Sequence, residues 1–382
     1  MKPTRRQDTG GGSPQEWPAH PPSPALGGSP AGEPPAGDGR NIDPGLGLLA
    51  GEGSAQRVGP RQEGQPAGRQ AAEPWRELPS RSFGGPEPTY YGRPVLKEPV
   101  WIWAVPLYFY AGGAAGAAAV LGGAAQAAGG PAVRGLVARC RWTAALGALA
   151  GSALLVHDLG RPERFLNMLR VFRPTSPMSV GSWVLAAFSS LTMGAALLAG
   201  RRGGLRKLGN LAGYGGALLG LPLAGYTAVL LANTAVPVWQ ASRRSLGGLF
   251  IGSAASGAAS LLGLMPLAAR EERIVHRFGV AGKVAELAAM SAVEHEAGRV
   301  AEVGRPLRAG LSGGLWQAAR LATAASLALS LLPGGSRRRR VAAGLLGTAG
   351  AIGLRYAVFH AGKASARDPR ATFRQQRAGR DD

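Results

Sequence analysis

Residues 157–183 read HDLGRPERFLNMLRVFRPTSPMSVGSW, a dense polar segment between two long apolar runs. The runs, at about 136–157 and 179–200, are long enough to cross a bilayer as helices, which takes about 20 residues each. Gly160 suits the left-handed turn that ends a helix, and Pro162 prevents the helix from continuing. The pattern therefore predicts a loop at a membrane–water boundary that joins two spanning helices.

The same length rule predicts an all-α fold, a polytopic membrane helix bundle of about eight transmembrane helices. Seven runs are mainly apolar and cover roughly residues 100–126, 136–157, 179–200, 211–236, 246–268, 315–333 and 341–360. An eighth run, roughly 279–297, carries Lys283 and Glu286 but has one apolar helical face. It either spans with its polar face turned into the bundle or lies at the membrane interface.

Composition divides the chain into three regions. Residues 1–97 are rich in Pro, Gly, Arg and Glu, and such a segment cannot bury enough apolar surface to offset its ordering entropy. We therefore predict a disordered tail at 1–97, a transmembrane bundle at 98–362 and a basic C-terminal tail at 363–382. Because no apolar stretch follows the twin arginine at residues 5–6 before residue 100, we expect the first spanning helix to direct insertion.

The formal net charge is +21, which by itself would suit nucleic-acid binding. The arginines, however, cluster between the apolar runs, as in residues 201–207 and 337–340. Cations at these positions are typical of membrane loops that meet anionic headgroups. We therefore predict membrane lipid, and no nucleic acid, as the partner of this charge. The loop charges favour one orientation and the basic C-terminal tail the other, so the orientation stays open.

Cysteine and histidine usage limits the redox centres that the chain can hold. The single cysteine, Cys140, excludes an intramolecular disulfide and a four-cysteine iron–sulfur cluster. A haem within a helix bundle usually needs paired histidines that face the core, and no such pair is present. The histidines are His20, His157, His276, His295 and His360. We therefore predict no haem, no iron–sulfur cluster and no metal site in this chain.

Turn formation alone does not require the ionisable residues of the polar segment. Histidine titrates near neutral pH, and a neighbouring carboxylate can relay its proton. Quinol oxidation releases electrons and protons together, and an imidazole can hydrogen-bond a quinone carbonyl. We therefore predict that His157 and Asp158 handle protons at a quinone site. The alternative, a structural ion pair such as Asp158 with Arg161, stays open because charges at membrane depth usually pair.

Further polar residues near the helix ends are candidates for the same site. Tyr110, Asn233 and Arg161 could donate hydrogen bonds to a quinone headgroup. Glu286 is a candidate for a proton relay, because a carboxylate at mid-membrane depth is functional by default. For Tyr110 and Asn233, the alternative is interfacial anchoring or a satisfied interhelical hydrogen bond. Arg161 has the ion pair with Asp158 as its alternative, and Glu286 is a relay candidate only if residues 279–297 span the membrane.

Residues 90–373 resemble the NrfD family, membrane subunits related to the polysulfide reductase anchor. The resemblance is strongest in residues 101–110 and 157–183, and its recurrent element is DLGRP at residues 158–162. The segment FHAGKASARDP, residues 359–369, resembles the actinobacterial-type branch of the family.

This resemblance implies a multi-pass protein of the plasma membrane, without haem, built as eight helices in two four-helix units. It also favours the spanning alternative for residues 279–297. The implied function is electron exchange between the quinone pool, menaquinone or ubiquinone, and a four-cluster ferredoxin-like subunit that serves a molybdopterin catalytic subunit. His157 and Asp158 would be quinone-proximal, with Tyr110 and Asn233 as weaker candidates. Catalysis would belong to the oxidoreductase complex, within which this chain is a non-catalytic or quinone-reactive subunit.

Two other functions remain open at this point. A proton or ion translocator would use a relay of Glu286, Asp158 and Arg355, and it requires a polar file that reaches both membrane faces. A purely structural anchor would have no quinone site at all. A single polar pocket at one edge of the bundle would favour the quinone-reactive subunit over the translocator.

Overall fold

The computed structural model describes residues 94–160, 163, 165–334 and 336–378, together with the antiparallel pairing of Ile42–Asp43 (β1) with Leu48–Leu49 (β2). The rest of the predicted N-terminal tail, up to residue 93, lies outside the described residues. Arg161, one of the predicted quinone-site residues, also lies outside them.

From residue 94 onward, the described chain is helical, which confirms the predicted all-α membrane bundle. The α-helices are α1 Ala104–Ala128, α2 Arg134–Asp158, α3 Pro177–Leu197, α4 Gly203–Ala232, α5 Pro237–Ala241, α6 Arg243–Gly263, α7 Ala269–Gly298, α8 Ala301–Gly304, α9 Gly310–Leu331, α10 Arg337–Arg367 and α11 Pro369–Ala378. Short 3-10 helices cover Pro131–Val133, Leu166–Leu169 and Arg305–Leu307. By length and composition, α1, α3, α4, α6 and α10 are apolar enough to cross a membrane.

The eight long helices pack as two four-helix units. The first unit consists of α1 to α4, and the second of α6, α7, α9 and α10. The units meet where α1 contacts α6 and α10, and where α4 contacts α6. Most helices within a unit are joined by short connections, so they pack antiparallel to their neighbours. This is the two-unit arrangement that the resemblance implied.

Alternation of the helices gives the bundle two polar ends. At the end called here the first end, α1, α3, α6 and α9 begin and α2, α4, α7 and α10 finish. The main-chain N–H of Ile102 donates to Asp158 there. At the opposite, second end, Arg340 near the start of α10 pairs with Glu272 near the start of α7. The described residues of the polar segment at 157–183 therefore lie at the first end.

Small residues let the central helices approach closely. A Cβ atom on Gly116 of α1 would lie 2.6 Å from the carbonyl oxygen of Gly220 of α4, and the reverse substitution meets the same obstacle. Similarly, a Cβ on Gly282 of α7 would lie 2.6 Å from the main-chain nitrogen of Ser256 of α6. Because lipid supplies no hydrophobic drive between helices, such backbone contact gives the dispersion attraction that holds the bundle together.

The ambiguous segment at 279–297 belongs to α7, a helix of 30 residues that packs along α6. Its polar residues Lys283 and Glu286 are buried, whereas Val284 between them is exposed. A helix lying on the membrane surface would turn its charges toward water. The observed arrangement is the one expected of a spanning helix whose polar face is turned into the bundle.

The region predicted as a basic C-terminal tail, residues 363–382, is largely helical as far as residue 378. The boundary predicted between residues 362 and 363 falls inside α10, which continues to Arg367, and α11 follows directly. Pro369 and Ala371 of α11 are buried, and α11 packs against α5 and α8. The cations Lys363 and Arg367 both pair with Glu98 ahead of α1, so the chain beyond residue 362 still contacts the helix bundle.

The contact between Gly116 and Gly220 gives a test of the packing. We expect Gly116→Leu to lower the unfolding temperature of the purified chain in detergent, because overpacking typically costs about 1–3 kcal/mol. Gly194→Leu in α3 is the matched control, since a Cβ there meets no atom within 4 Å. Equal destabilisation by the two substitutions would contradict close packing of α1 on α4.

Candidate functional site

The last turn of α2 places an imidazole at the surface of the first end. His157 is exposed, and its ring centroid lies 5.9 Å from that of Trp103, the residue before α1. The Trp103 side chain is itself 56% exposed. The two rings therefore form an aromatic edge that is open to a molecule approaching from lipid or from water.

Asp158 has a structural contact as well as a place in this site. Its Oδ1 accepts a hydrogen bond of 3.1 Å from the main-chain N–H of Ile102. That N–H precedes α1 and has no partner within the helix, so the carboxylate supplies one. The bond fastens the end of α2 to the start of α1 and leaves Oδ2 for a second interaction.

Helix α10 completes the site from the other four-helix unit. The Tyr356 hydroxyl donates to the carbonyl oxygen of Trp103 at 2.9 Å, and the Tyr356 ring stacks on His360 at a centroid distance of 6.5 Å. Three helices, α1, α2 and α10, thus meet around Trp103.

An ion-pair cluster holds the segment ahead of α1 in place. The Glu98 carboxylate accepts two hydrogen bonds from Arg367, of 2.6 and 2.9 Å, and lies 3.6 Å from the Lys363 ammonium. The hydrogen bond from Arg367 holds the pKa of Glu98 below its ordinary value. Glu98 therefore stays ionised and keeps Trp103 positioned between α2 and α10.

The loop after α2 presents apolar groups beside this site. Ser176 caps α3 by accepting the Ser179 N–H at 3.4 Å, and the Ser179 hydroxyl oxygen accepts the Arg173 N–H at 3.0 Å. Phe172 and Trp183 contact edge to face at 6.2 Å, and both are exposed. Exposed aromatic rings at the end of a membrane bundle are typical of the interfacial belt.

The structure separates the other predicted quinone-site residues. Asn233 ends α4 at the first end, and its Nδ2 donates to the Val229 carbonyl of its own helix at 2.9 Å. Tyr110 does not join His157. It lies inside the bundle, where a Cβ on Gly257 of α6 would be 3.0 Å from its ring. Tyr110 instead belongs to the neighbourhood of Arg355.

Glu286, the predicted relay carboxylate, lies in the interior of the second unit. It is 0% exposed, and neither carboxylate oxygen has a hydrogen-bond partner among the described residues. Its charged and polar neighbours include the Arg355 guanidinium, the Lys283 ammonium and three hydroxyls, from Ser253, Ser256 and Thr323. Helices α6, α7, α9 and α10 each contribute to this interior polar cluster.

Arg355 supplies the positive charge of the interior polar cluster. The side chain is 1% exposed, and its guanidinium lies 3.8 Å above the Phe250 ring. Nη2 donates to the Phe250 carbonyl at 3.0 Å, whereas Nε and Nη1 have no partner among the described residues. A buried cation beside a buried carboxylate avoids the large cost of an isolated charge in a low-dielectric interior.

Sequence reasoning missed the hydroxyls of this cluster. Ser253, Ser256 and Ser260 are spaced three and four residues apart on α6, and Thr323, Ser326 and Ser330 repeat that spacing on α9. Residues at this spacing share one helical face. The periodic hydroxyls within apolar runs were the signal that marks a polar face on α6 and another on α9, and both faces contact α10 at Gly347.

Comparison with known proteins identifies the chain at the level of a family. A family model described as "Polysulphide reductase, NrfD" matches residues 95–364. The match covers seven of the eight long helices in full, α10 up to residue 364, and the polar segment at residues 157–183. No curated protein matches the chain.

The interior polar cluster gives a test of charge compensation. We expect Arg355→Met to destabilise the detergent-solubilised chain by about 3 kcal/mol, because it removes one of the two buried cations that face the Glu286 carboxylate. Adding Glu286→Gln should recover much of the loss, as measured by thermal unfolding. Arg244→Met, at an exposed cation of α6, is the control. A double variant no more stable than Arg355→Met would show that the two charges are not coupled.

Proposed function

The chain belongs to the NrfD family, and we propose that it is the quinone-reactive membrane subunit of an oxidoreductase complex. Members of the family are membrane subunits of molybdopterin oxidoreductase complexes and associate with molybdopterin and iron–sulfur subunits. In the proposal, this chain exchanges electrons between the quinone pool of the plasma membrane, menaquinone or ubiquinone, and a four-cluster ferredoxin-like subunit. That subunit serves the molybdopterin catalytic subunit.

The observation that supports a quinone site is the arrangement at the first end. The exposed rings of His157 and Trp103 lie side by side, with their planes tilted by 54°, where the bundle meets water. A flat quinone ring packs well against aromatic side chains, and an imidazole can donate to or accept from its oxygens. His157 is thus the residue that we propose to contact the quinone headgroup.

Proton transfer is the second requirement of quinone chemistry. Oxidation of a quinol to a quinone gives two electrons, which pass to the iron–sulfur partner, and two protons, which must leave through protein groups. His157 accepts a proton from the quinol hydroxyl, and the carboxylate of Asp158 passes it toward water. The contact of Asp158 with Ile102 uses one oxygen only, so the same carboxylate can hold the helix and relay the proton. Reduction of a quinone follows the reverse route.

The proposed quinone site also indicates that the partner subunits bind at the first end. Electron transfer without a redox centre in this chain requires the nearest iron–sulfur cluster to lie close to the quinone. The first end also carries Arg370 and Arg377 on α11, which offer cations to an acidic partner surface, whereas Arg374 of the same helix pairs with Glu302. We therefore place the docking surface of the ferredoxin-like subunit at this end.

Proton translocation is a second candidate function, and the interior polar cluster favours it. Glu286 is a fully buried carboxylate beside Arg355, with the Tyr110 hydroxyl close to that arginine. Such a group inside a membrane bundle is a candidate for proton relay. Asp158 lies apart from this cluster, at the first end. A relay that joins the two would need bridging water, which distinguishes the translocator from a subunit with a quinone site at one edge.

Substitution of Asp158 separates its two roles. Asp158→Asn keeps an oxygen that accepts the Ile102 N–H but removes the titrating group. We expect the complex to assemble normally while electron exchange between a short-chain quinol and its iron–sulfur centres slows roughly tenfold or more, the range of general acid–base contributions. His157→Ala should slow the exchange similarly.

Asp368→Asn is the matched control, because Asp368 also accepts a main-chain N–H, that of Arg370, near the first end. We expect it to leave the exchange rate unchanged. Unchanged exchange in both His157→Ala and Asp158→Asn would rule out this quinone site. Loss of the complex from membranes in Asp158→Asn would show that Asp158 acts as a structural residue.

A further inference from the structure

A cavity of about 110 Å³ lies at the second end, opposite the proposed quinone site. It is enclosed by α6, α7, α9 and the start of α10. The polar groups that matter to its chemistry are Ser260, His276, Lys283, Ser330, Ser336 and Arg339. Nothing in the proposed electron exchange uses these residues.

Lys283 forms the inner wall of the cavity. The side chain is 5% exposed, and its Nζ donates to the Ser330 hydroxyl oxygen at 3.0 Å. Ser330 is the penultimate residue of α9, which ends at Leu331, so the ammonium reaches the level at which the helices leave the membrane. This is the depth of lipid phosphates, toward which buried lysines extend their charge.

The cavity has a surplus of positive charge. Its one lining carboxylate, Glu272, is paired with Arg340. Arg339 donates to the Pro333 carbonyl at 2.9 Å, and neither it nor Lys283 forms an ion pair among the described residues. Deeper in the bundle, Glu286 is the single carboxylate that faces both Lys283 and Arg355. Because Glu286 can balance only one of these two buried cations, the remaining positive charge favours an anion in the adjoining space.

Two further features of the cavity supply hydrogen-bond donors. Helix α10 begins at its mouth, where the Ser336 hydroxyl caps the Arg339 N–H at 3.3 Å. The start of a long helix carries partial positive charge and favours phosphate. Inside, the Ser260 hydroxyl is 3% exposed, lines the cavity and has no partner among the described residues. An unsatisfied buried hydroxyl at this position is explained by a ligand that accepts its hydrogen.

We propose that this cavity binds a phosphate group, carried either by the headgroup of an anionic phospholipid or by free inorganic phosphate. Lys283, Ser260 and the main-chain N–H groups at the start of α10 would donate to the phosphate oxygens, and Arg339 would contribute long-range attraction. Basic pockets between membrane helices near a headgroup layer are typical sites for anionic lipids. Bound there, the ligand would compensate Lys283 and join α7, α9 and α10.

The test uses the full-length chain purified in detergent with its own lipid removed. Phosphatidylglycerol, phosphatidylcholine and inorganic phosphate are titrated separately, and binding is followed by native mass spectrometry and by the unfolding temperature. We expect phosphatidylglycerol or inorganic phosphate, and not phosphatidylcholine, to bind and to raise the unfolding temperature. Saturation by phosphatidylglycerol alone identifies a lipid headgroup site, and saturation by inorganic phosphate identifies a free phosphate site.

Two variants connect the binding to this cavity. Lys283→Met should weaken binding roughly tenfold or more, as expected for loss of a charge-assisted hydrogen bond. Arg339→Met, at the mouth, should weaken it less and gives a second measurement if Lys283→Met does not fold. Arg206→Met, at an exposed cation of α4 on the same end, is the control and should not change it. Equal binding by Arg339→Met, Lys283→Met and Arg206→Met, or no binding by the unaltered chain, would overturn the proposal.

Discussion

The cost of an unpaired charge in a low-dielectric interior is the constraint on which the second four-helix unit depends. Glu286 from α7 and Arg355 from α10 are both buried, and neither can reach water without opening the bundle. Their mutual compensation requires α6, α7 and α10 to meet at one depth. The close approach of α6 and α7 at Gly282 makes that meeting possible, because a side chain there would collide with the opposite backbone. Packing and electrostatics therefore select the same arrangement.

The first end follows a different rule, since its polar groups lie where water can reach them. Three contacts fix the short segment ahead of α1. Asp158 and Tyr356 bind main-chain atoms of the segment, and the side chain of Glu98, within the segment, forms an ion pair with Arg367. The polar residues that hold the segment leave His157 exposed beside Trp103. In this arrangement the same few residues fasten the two four-helix units together and shape the proposed quinone contact.

Hydrophobic length was sufficient to predict seven of the eight long helices and to place His157 and Asp158 at one end of the bundle, but it left open whether the eighth, α7, spans. It could not predict which way Tyr110 faces, because α1 is rich in Ala and Gly on every side and gives no periodic signal of orientation. The apolar run stops near His360, just after Arg355, whereas α10 continues through small residues to Arg367, so the run alone could not show that Arg355 lies well inside its helix. The charge compensation between Glu286 of α7 and Arg355 of α10 could not be predicted either, because it depends on how the two helices pack against each other.

The most direct test of the central claim is the composition of the complex purified through this chain from native membranes, with quinone extracted and counted per complex. We predict a ferredoxin-like subunit, a molybdopterin subunit and bound quinone in the preparation from the unaltered chain. We also predict that the complex with His157→Ala retains both subunits and loses the quinone. A chain that elutes alone and without quinone would contradict membership of such a complex, and full quinone occupancy in His157→Ala would contradict a quinone site at the first end.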